Sequence, residues 1–278
     1  MKPRRYSEVD VFSATAYRGN ALAVVHDAEG LSTADMQQFA NWTNLAETTF
    51  LLAPTDPRAD YRVRIFTASE ELPFAGHPTL GSVKAWLAAG GTVGPDGVIV
   101  QECVAGLIPI RIAGDRFAFQ APPLTRYEPI EEARLQRVAS VLGIARDDIL
   151  ASSWLVNGPR WMGIRLASAQ QVLALRPDPS LLDDLEIGVV GPHPSGSDTQ
   201  FEVRAFFGGD AVWEDPVTGS LNAGLARWMS DTGVAPPHYV ASQGTVLGRE
   251  GRVHIDIESD SIWVGGHVTA CIEGTVRL

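Results

Sequence analysis

Two stretches place acids, a histidine and glycine turns where they can handle a proton and an anion. Arg64 to Gly81 reads RIFTASEELPFAGHPTLG. Glu70 and Glu71 precede a Gly-His-Pro-Thr turn at Gly76 to Thr79, and Leu80 to Ala89 then reads as a helix. Pro78 lacks an amide donor, which suits a first helical turn. Such a turn aims backbone N–H groups at an anion, with the His77 imidazole beside it. Ala211 to Met229 reads AVWEDPVTGSLNAGLARWM and repeats the construction, with Glu214 and Asp215 before Pro216, and Thr218, Gly219 and Ser220 leading into a helix. Leu221, Leu225, Trp228 and Met229 fall near one face of that helix. Read as two halves of one site, the turns suit proton transfer. That chemistry needs a carboxylate to lift a carbon-bound proton, donors for the developing charge, and shielding from water. Glu47 is the candidate base, with burial expected to raise its pKa. Asp215 would orient an amine or share a proton, and His77 would donate to a hydroxyl or to developing charge. The amides around Gly76 to Thr79 and Gly219 to Ser220 would hold a carboxylate. The competing reading is two capped helices in a structural protein.

The elements that must position these residues can be followed along the chain. Tyr6 to Ala14 and Ala21 to Val25 read as a hairpin around Gly19-Asn20. Ser32 to Thr43 reads as a helix, with Ser32 as cap and Asp35 in the first turn. Met36, Phe39 and Trp42 are assigned to its buried face. Asn44 to Leu52 then passes into a strand at Glu47, so the acid sits at a helix-to-strand junction, where fixed side chains often project. Tyr61 to Thr67 is the next strand and runs into the first turn. The prolines of Ala121-Pro122-Pro123 mark a boundary. Beyond it come a helix from Ile130 to Leu142, strands at Ile149 to Val156, Trp161 to Leu166, Leu185 to Val190 and Phe201 to Phe207, and then the second turn. Many short strands with few helices predict an α+β fold of two similar lobes, each a curled, mostly antiparallel sheet wrapped against a helix.

Composition narrows the function further. The chain has 278 residues, 45% hydrophobic and 20% charged, which is a globular composition. A net charge of -11 argues against a broad nucleic-acid surface, while helix N-termini still suit a small anionic substrate. Cys103 and Cys271 are the only cysteines, so there is no disulfide framework and no CxxC. His238, His254 and His267 are too scattered for a metal site, and no HExxH, GxGxxG or GxSxG motif is present. The expectation is therefore a chain with no cofactor and no metal, no membrane segment and a cytoplasmic location.

The stretches VDVFSATAYRGNALAVV, NLAETTF, RIFTASEELPFAGHPTLG and VWEDPVTGSLNAGLA, in that order, resemble the phenazine-biosynthesis isomerase (PhzF-like) family, related to diaminopimelate epimerase. The resemblance covers most of the chain. It implies two pseudo-symmetric lobes, 1–120 completed by 265–278 and 121–264, with the active site in the cleft between them, in a homodimer. It implies a cofactor-independent isomerase whose glutamate is Glu47, with the histidine of the GHPT turn at His77 and the aspartate of the EDPxTGS turn at Asp215, near Ser220. The family's best-known activity, isomerisation of trans-2,3-dihydro-3-hydroxyanthranilate, is the substrate type implied. Diaminopimelate epimerase uses two facing cysteines at the two turns; neither turn here has one, which argues against two-thiol racemisation. Ala46 stands where the resemblance implies serine, and the missing hydroxyl implies a different polar group on the substrate. Two alternatives stay open: a same-fold isomerase of another specialised metabolite, such as a conjugated imine or ring alkene acid, and a non-catalytic small-ligand-binding dimer.

Overall fold

The computed structural model describes residues 1–95, 97–208 and 213–278, so Ala211 and Val212 at the head of the second stretch lie outside the described residues. It divides into two compact units, Met1–Gln120 with Gly265–Leu278, and Ala121–Val264.

In the first unit, β1 (Pro3–Val11) lies antiparallel to β2 (Asn20–Val25). After α1 (Thr33–Thr43), β3 (Glu47–Leu52) returns parallel to β2. β4 (Tyr61–Phe66) is antiparallel to β3, and the two-residue β5 (Glu71–Leu72) folds back on β4. The chain then forms α2 (Gly76–Ala88), and β6 (Val98–Cys103) returns parallel to β4. β7 (Gly106–Ala113) and β8 (Arg116–Gln120) extend the sheet antiparallel.

The second unit opens with α3 (Glu132–Leu142) and then repeats that pairing scheme. β9 (Ala151–Val156) and β10 (Arg160–Arg165) are antiparallel, α4 (Ala169–Ala174) follows, and β11 (Glu186–Pro192) is parallel to β10. β12 (Phe201–Phe207) is antiparallel to β11, and the two-residue β13 (Glu214–Asp215) folds back on β12. After α5 (Gly219–Asp231), β14 (His238–Gln243) lies parallel to β12, and β15 (Gly251–Glu258) is antiparallel to β14. β16 (Ser261–Gly266) leads into β17 (Val268–Arg277), which pairs antiparallel with β1 and so belongs to the first unit.

Each sheet closes on one helix. α2 packs against β17, β1, β2, β3, β4 and β8, a set that takes in strands at both edges of its sheet. A flat sheet could not bring those edges to one helix, so the sheet curls, as twisted strands do. α5 likewise packs against β9, β10 and β15. Close approach needs a missing side chain: a Cβ on Gly81 of α2 would lie 2.4 Å from Leu22 Cδ2 and 2.9 Å from Val9 Cγ2. Inside the curl, Ser82 Oγ donates to Thr49 Oγ1 at 3.0 Å, tying the helix to β3. Outside it, α3 and α4 cover the second sheet through Leu135, Val138, Leu142 and Val172.

Three sequence expectations are corrected. The helix of the first stretch starts earlier than Leu80: the GHPT turn is itself the first turn of α2, which begins at Gly76, while α5 begins at Gly219 with Thr218 as its N-cap. β1 stops at Val11, because Phe12 adopts a left-handed φ of 67° that no strand continues. Trp42 is 79% exposed and stacks on Phe39 at 6.4 Å instead of entering the core. Met36 and Ala40 are the buried pair of α1 at four-residue spacing, and Trp42, six residues beyond Met36, falls off that stripe.

Candidate active site

In the first unit, β3 begins with Glu47, and its backbone is fixed by register to Leu22 of β2. Asn44 caps the end of α1, and its left-handed φ of 53° turns the chain out of the helix three residues before Glu47. His77, the second residue of α2, brings its Nε2 to 3.2 Å from Glu47 Oε2. Nδ1 of the same ring is 3.5 Å from Asn20 Nδ2, at the start of β2. Asn20 is itself set by a tight turn: the amides of Arg18 and Gly19 donate to Asp10 Oδ2 at 2.7 and 2.8 Å. A Cβ on Gly19 would lie 2.1 Å from the Val11 carbonyl oxygen, so only glycine lets the turn close this tightly.

Distance alone would make His77 and Glu47 an ion pair. Burial of the imidazole overrides that, pushing its pKa down to about 3 against a smaller upward pull from the Ala21 backbone. The ring is therefore neutral near pH 7, and it sets no positive charge beside the carboxylate. The linkage follows directly. Between the ordinary histidine value of 6.5 and about 3, the unfolded chain accepts a proton that the native state refuses. His77 thus costs no stability above pH 6.5, and stability falls as the pH drops through that window. From pH 6.5 to 5 the expected loss is about 2 kcal/mol. Denaturant titrations at the two pH values should show this drop in the wild type and a smaller one in His77→Gln; equal drops would place the titrating group elsewhere.

The anion-binding expectation narrows at this turn. Thr79 is buried, its amide bonds to the Ala75 carbonyl at 3.2 Å, its hydroxyl donates to the same oxygen at 2.9 Å, and it accepts from Gln101 Nε2 at 3.0 Å. Thr79 is thus a cap-holding residue, and its predicted part in substrate binding has no amide to rest on. Gly76 and His77 are first-turn positions whose amides have no acceptor within the helix, and Pro78 has no amide.

In the second unit the matching positions are Gly219 and Ser220, again the first two residues of their helix. Ser220 Oγ accepts from Trp161 Nε1 at 3.0 Å, and its carbonyl accepts from Asn157 Nδ2 at 2.9 Å. Asp215, in β13, is partly exposed, and its Oδ2 accepts from the Thr218 hydroxyl at 2.6 Å. Gln243, fully buried in β14, bonds to Thr218 and to the Asp215 carbonyl.

The remaining acids of the two stretches belong to the fold. Glu70 is exposed in a turn, its amide donating to Thr67 Oγ1. Glu71 receives a two-pronged bond from Arg64 at 2.7 and 2.6 Å, and Glu214 receives the same from Arg204 at 2.8 Å twice. Each arginine also sits over the phenylalanine two residues on, Phe66 or Phe206.

The profile of the family described as Phenazine biosynthesis-like protein matches residues 9–274 of this sequence. The chain belongs to that family. The phenazine biosynthesis-like chain is 36% identical to the Schizosaccharomyces pombe protein antisense-enhancing sequence 1, over 99% of each. It is 30% identical to the Pseudomonas aeruginosa trans-2,3-dihydro-3-hydroxyanthranilate isomerase, again over 99% of each. The crystal structure of a PhzF-family protein of Bacillus anthracis shares its fold, with a TM-score of 0.84 over all of both chains at 22% identity. Family membership supports isomerase activity in general. The two-lobe α+β architecture expected of such a chain is the one observed.

Sequence reasoning missed Asn20, Gln243, Trp161 and the two Arg–Glu forks. Of these only the forks left a signal, an Arg-x-Phe ahead of each Glu-x-Pro. Among the described residues, no helix is long and apolar enough to cross a membrane.

Proposed function

We propose that this chain is a cofactor-independent isomerase that moves a proton within a small conjugated carboxylic acid, with Glu47 as the base that takes the proton and returns it. The observation that carries the reading is the contact of Glu47 Oε2 with a neutral, buried His77 at 3.2 Å. A neutral imidazole beside a carboxylate adds no positive charge that would hold its lone pair down, as a general base needs. In this reading His77 orients Glu47, Asp215 takes a hydrogen bond from a substrate amine or hydroxyl, and the first-turn amides at Gly76 and Gly219 face anionic charge. The substrate of the Pseudomonas aeruginosa relative, trans-2,3-dihydro-3-hydroxyanthranilate, is one such acid. Ala46 gives no hydroxyl beside Glu47, which favours a related acid with a different polar group at that point. The homodimer rests on the family resemblance.

The test is a panel of small ring alkene and conjugated imine carboxylic acids, including that dihydroanthranilate, with product isomers of unchanged mass separated by chromatography. Conversion of at least one acid without added cofactor is expected. Binding of panel acids with no conversion of any would instead make the chain a small-ligand-binding protein.

A further inference from the structure

The second turn contains a chain of hydrogen bonds whose direction is fixed at its buried end. Two backbone groups settle how the Gln243 amide is oriented. The Thr218 N–H donates to Oε1 at 3.0 Å, and Nε2 donates to the Asp215 carbonyl at 3.1 Å. Asn222 Nδ2 adds a second donor to Oε1 at 2.9 Å, while its own position is held by the Thr218 carbonyl, also at 2.9 Å. Nε2 has one proton left, and it goes to Thr218 Oγ1 at 2.8 Å. An amide nitrogen donates and does not accept, so the hydroxyl must receive this bond. Its single proton is then directed to the remaining acceptor, Asp215 Oδ2, at 2.6 Å.

We propose that Gln243 and Thr218 are positioning residues for Asp215: together they lock one hydroxyl proton onto Oδ2 and hold Asp215 as an anionic acceptor. The proposal rests on the reading of Asp215 as a residue of the site. The first unit shows what the same device does without an acid. There Gln101 accepts from Tyr61 at 3.0 Å and donates to Thr79 Oγ1, and the Thr79 proton ends on a backbone carbonyl, that of Ala75. A buried glutamine closes each helix start; only in the second unit does the chain of donors terminate on a carboxylate. A side chain so held does not present Oδ2 as an acid. It meets a ligand as an acceptor, for an ammonium or hydroxyl donor.

The experiment is a carbon-13 carboxyl titration of aspartate-labelled, full-length protein without substrate, with the Asp215 resonance assigned through Asp215→Asn. Thr218→Val removes the donor and should raise the Asp215 midpoint by about one pH unit, since a hydrogen bond to the charged form is lost. Thr218→Ser should restore the wild-type midpoint. Gln243→Met frees the hydroxyl to rotate and should give a midpoint between the two. A Thr218→Val midpoint at the wild-type value overturns the proposal, as does a folded Gln243→Met protein that titrates like wild type. If Gln243→Met does not fold, the Thr218 pair alone decides. No turnover is measured, so the result stands whether or not any acid of the panel is converted.

Discussion

Glu47→Gln should lower turnover by about 10²–10⁴-fold while leaving fold and substrate affinity in place. The amide matches the carboxylate in size but has no lone pair basic enough to take a proton from carbon. Its backbone is held by the β2–β3 register, so the substitution does not release the strand. The side chain is 15% exposed, and His77, 3.2 Å away and neutral, has no ion pair to lose when the carboxylate becomes an amide. Calorimetry should therefore find the ligand bound with near wild-type affinity, and circular dichroism should be unchanged. A fall in kcat with KM unmoved is the signature of an interaction made in the transition state. A variant that keeps the wild-type rate would remove Glu47 from the chemistry and leave Asp215 or His77 to carry the proton.

Arg204→Met should cost about 3–5 kcal/mol, because it strands the Glu214 carboxylate in the interior. The side chains of Arg204 and Glu214 are 2% and 4% exposed. The guanidinium also donates to the carbonyls of Val172 and Leu175 at 3.2 and 2.9 Å, so it ties α4 to the strand that carries Asp215. A fall in melting temperature on the order of 10 °C is expected. The equivalent Arg64→Met, where the pair is 23% and 25% exposed, should cost no more than about 1 kcal/mol. Arg204→Met combined with Glu214→Leu should regain much of the loss, because no charge is then left unpaired. Equal losses at Arg204 and Arg64 would contradict the burial argument.

The internal repeat was legible because it is written in short-range signals. The capping box of Ser32 and Asp35 forms as its spacing predicts, and Phe201 to Phe207 alternates and is a strand over those residues. Glu47 could be placed at a junction for the same reason. What the sequence hid is of two kinds. Buried glutamines and asparagines such as Gln243 and Asn20 have no local pattern, since their partners lie on other elements and only the folded sheet brings them together. Charged groups mislead in the other direction: Glu71 and Glu214 stand beside the turns like catalytic acids, yet each is held by an arginine seven or ten residues earlier in the chain. Thr79 misleads similarly, because a residue of a glycine turn looks available until the turn proves to be a helix and takes its amide. Trp42 shows the limit of counting by faces, where a small error in spacing moves an aromatic from core to surface.

The central claim is that Glu47 carries the migrating proton. It is tested most directly by single-turnover conversion in deuterated water, with enzyme in excess over substrate and product deuterium read by mass spectrometry. Wild-type protein should form product that carries deuterium at one carbon, in step with conversion, because the Glu47 carboxyl, 15% exposed, exchanges its proton with solvent. Glu47→Gln should form neither product nor deuterated substrate on that timescale. Wild-type rates of conversion and deuteration in Glu47→Gln would contradict the account.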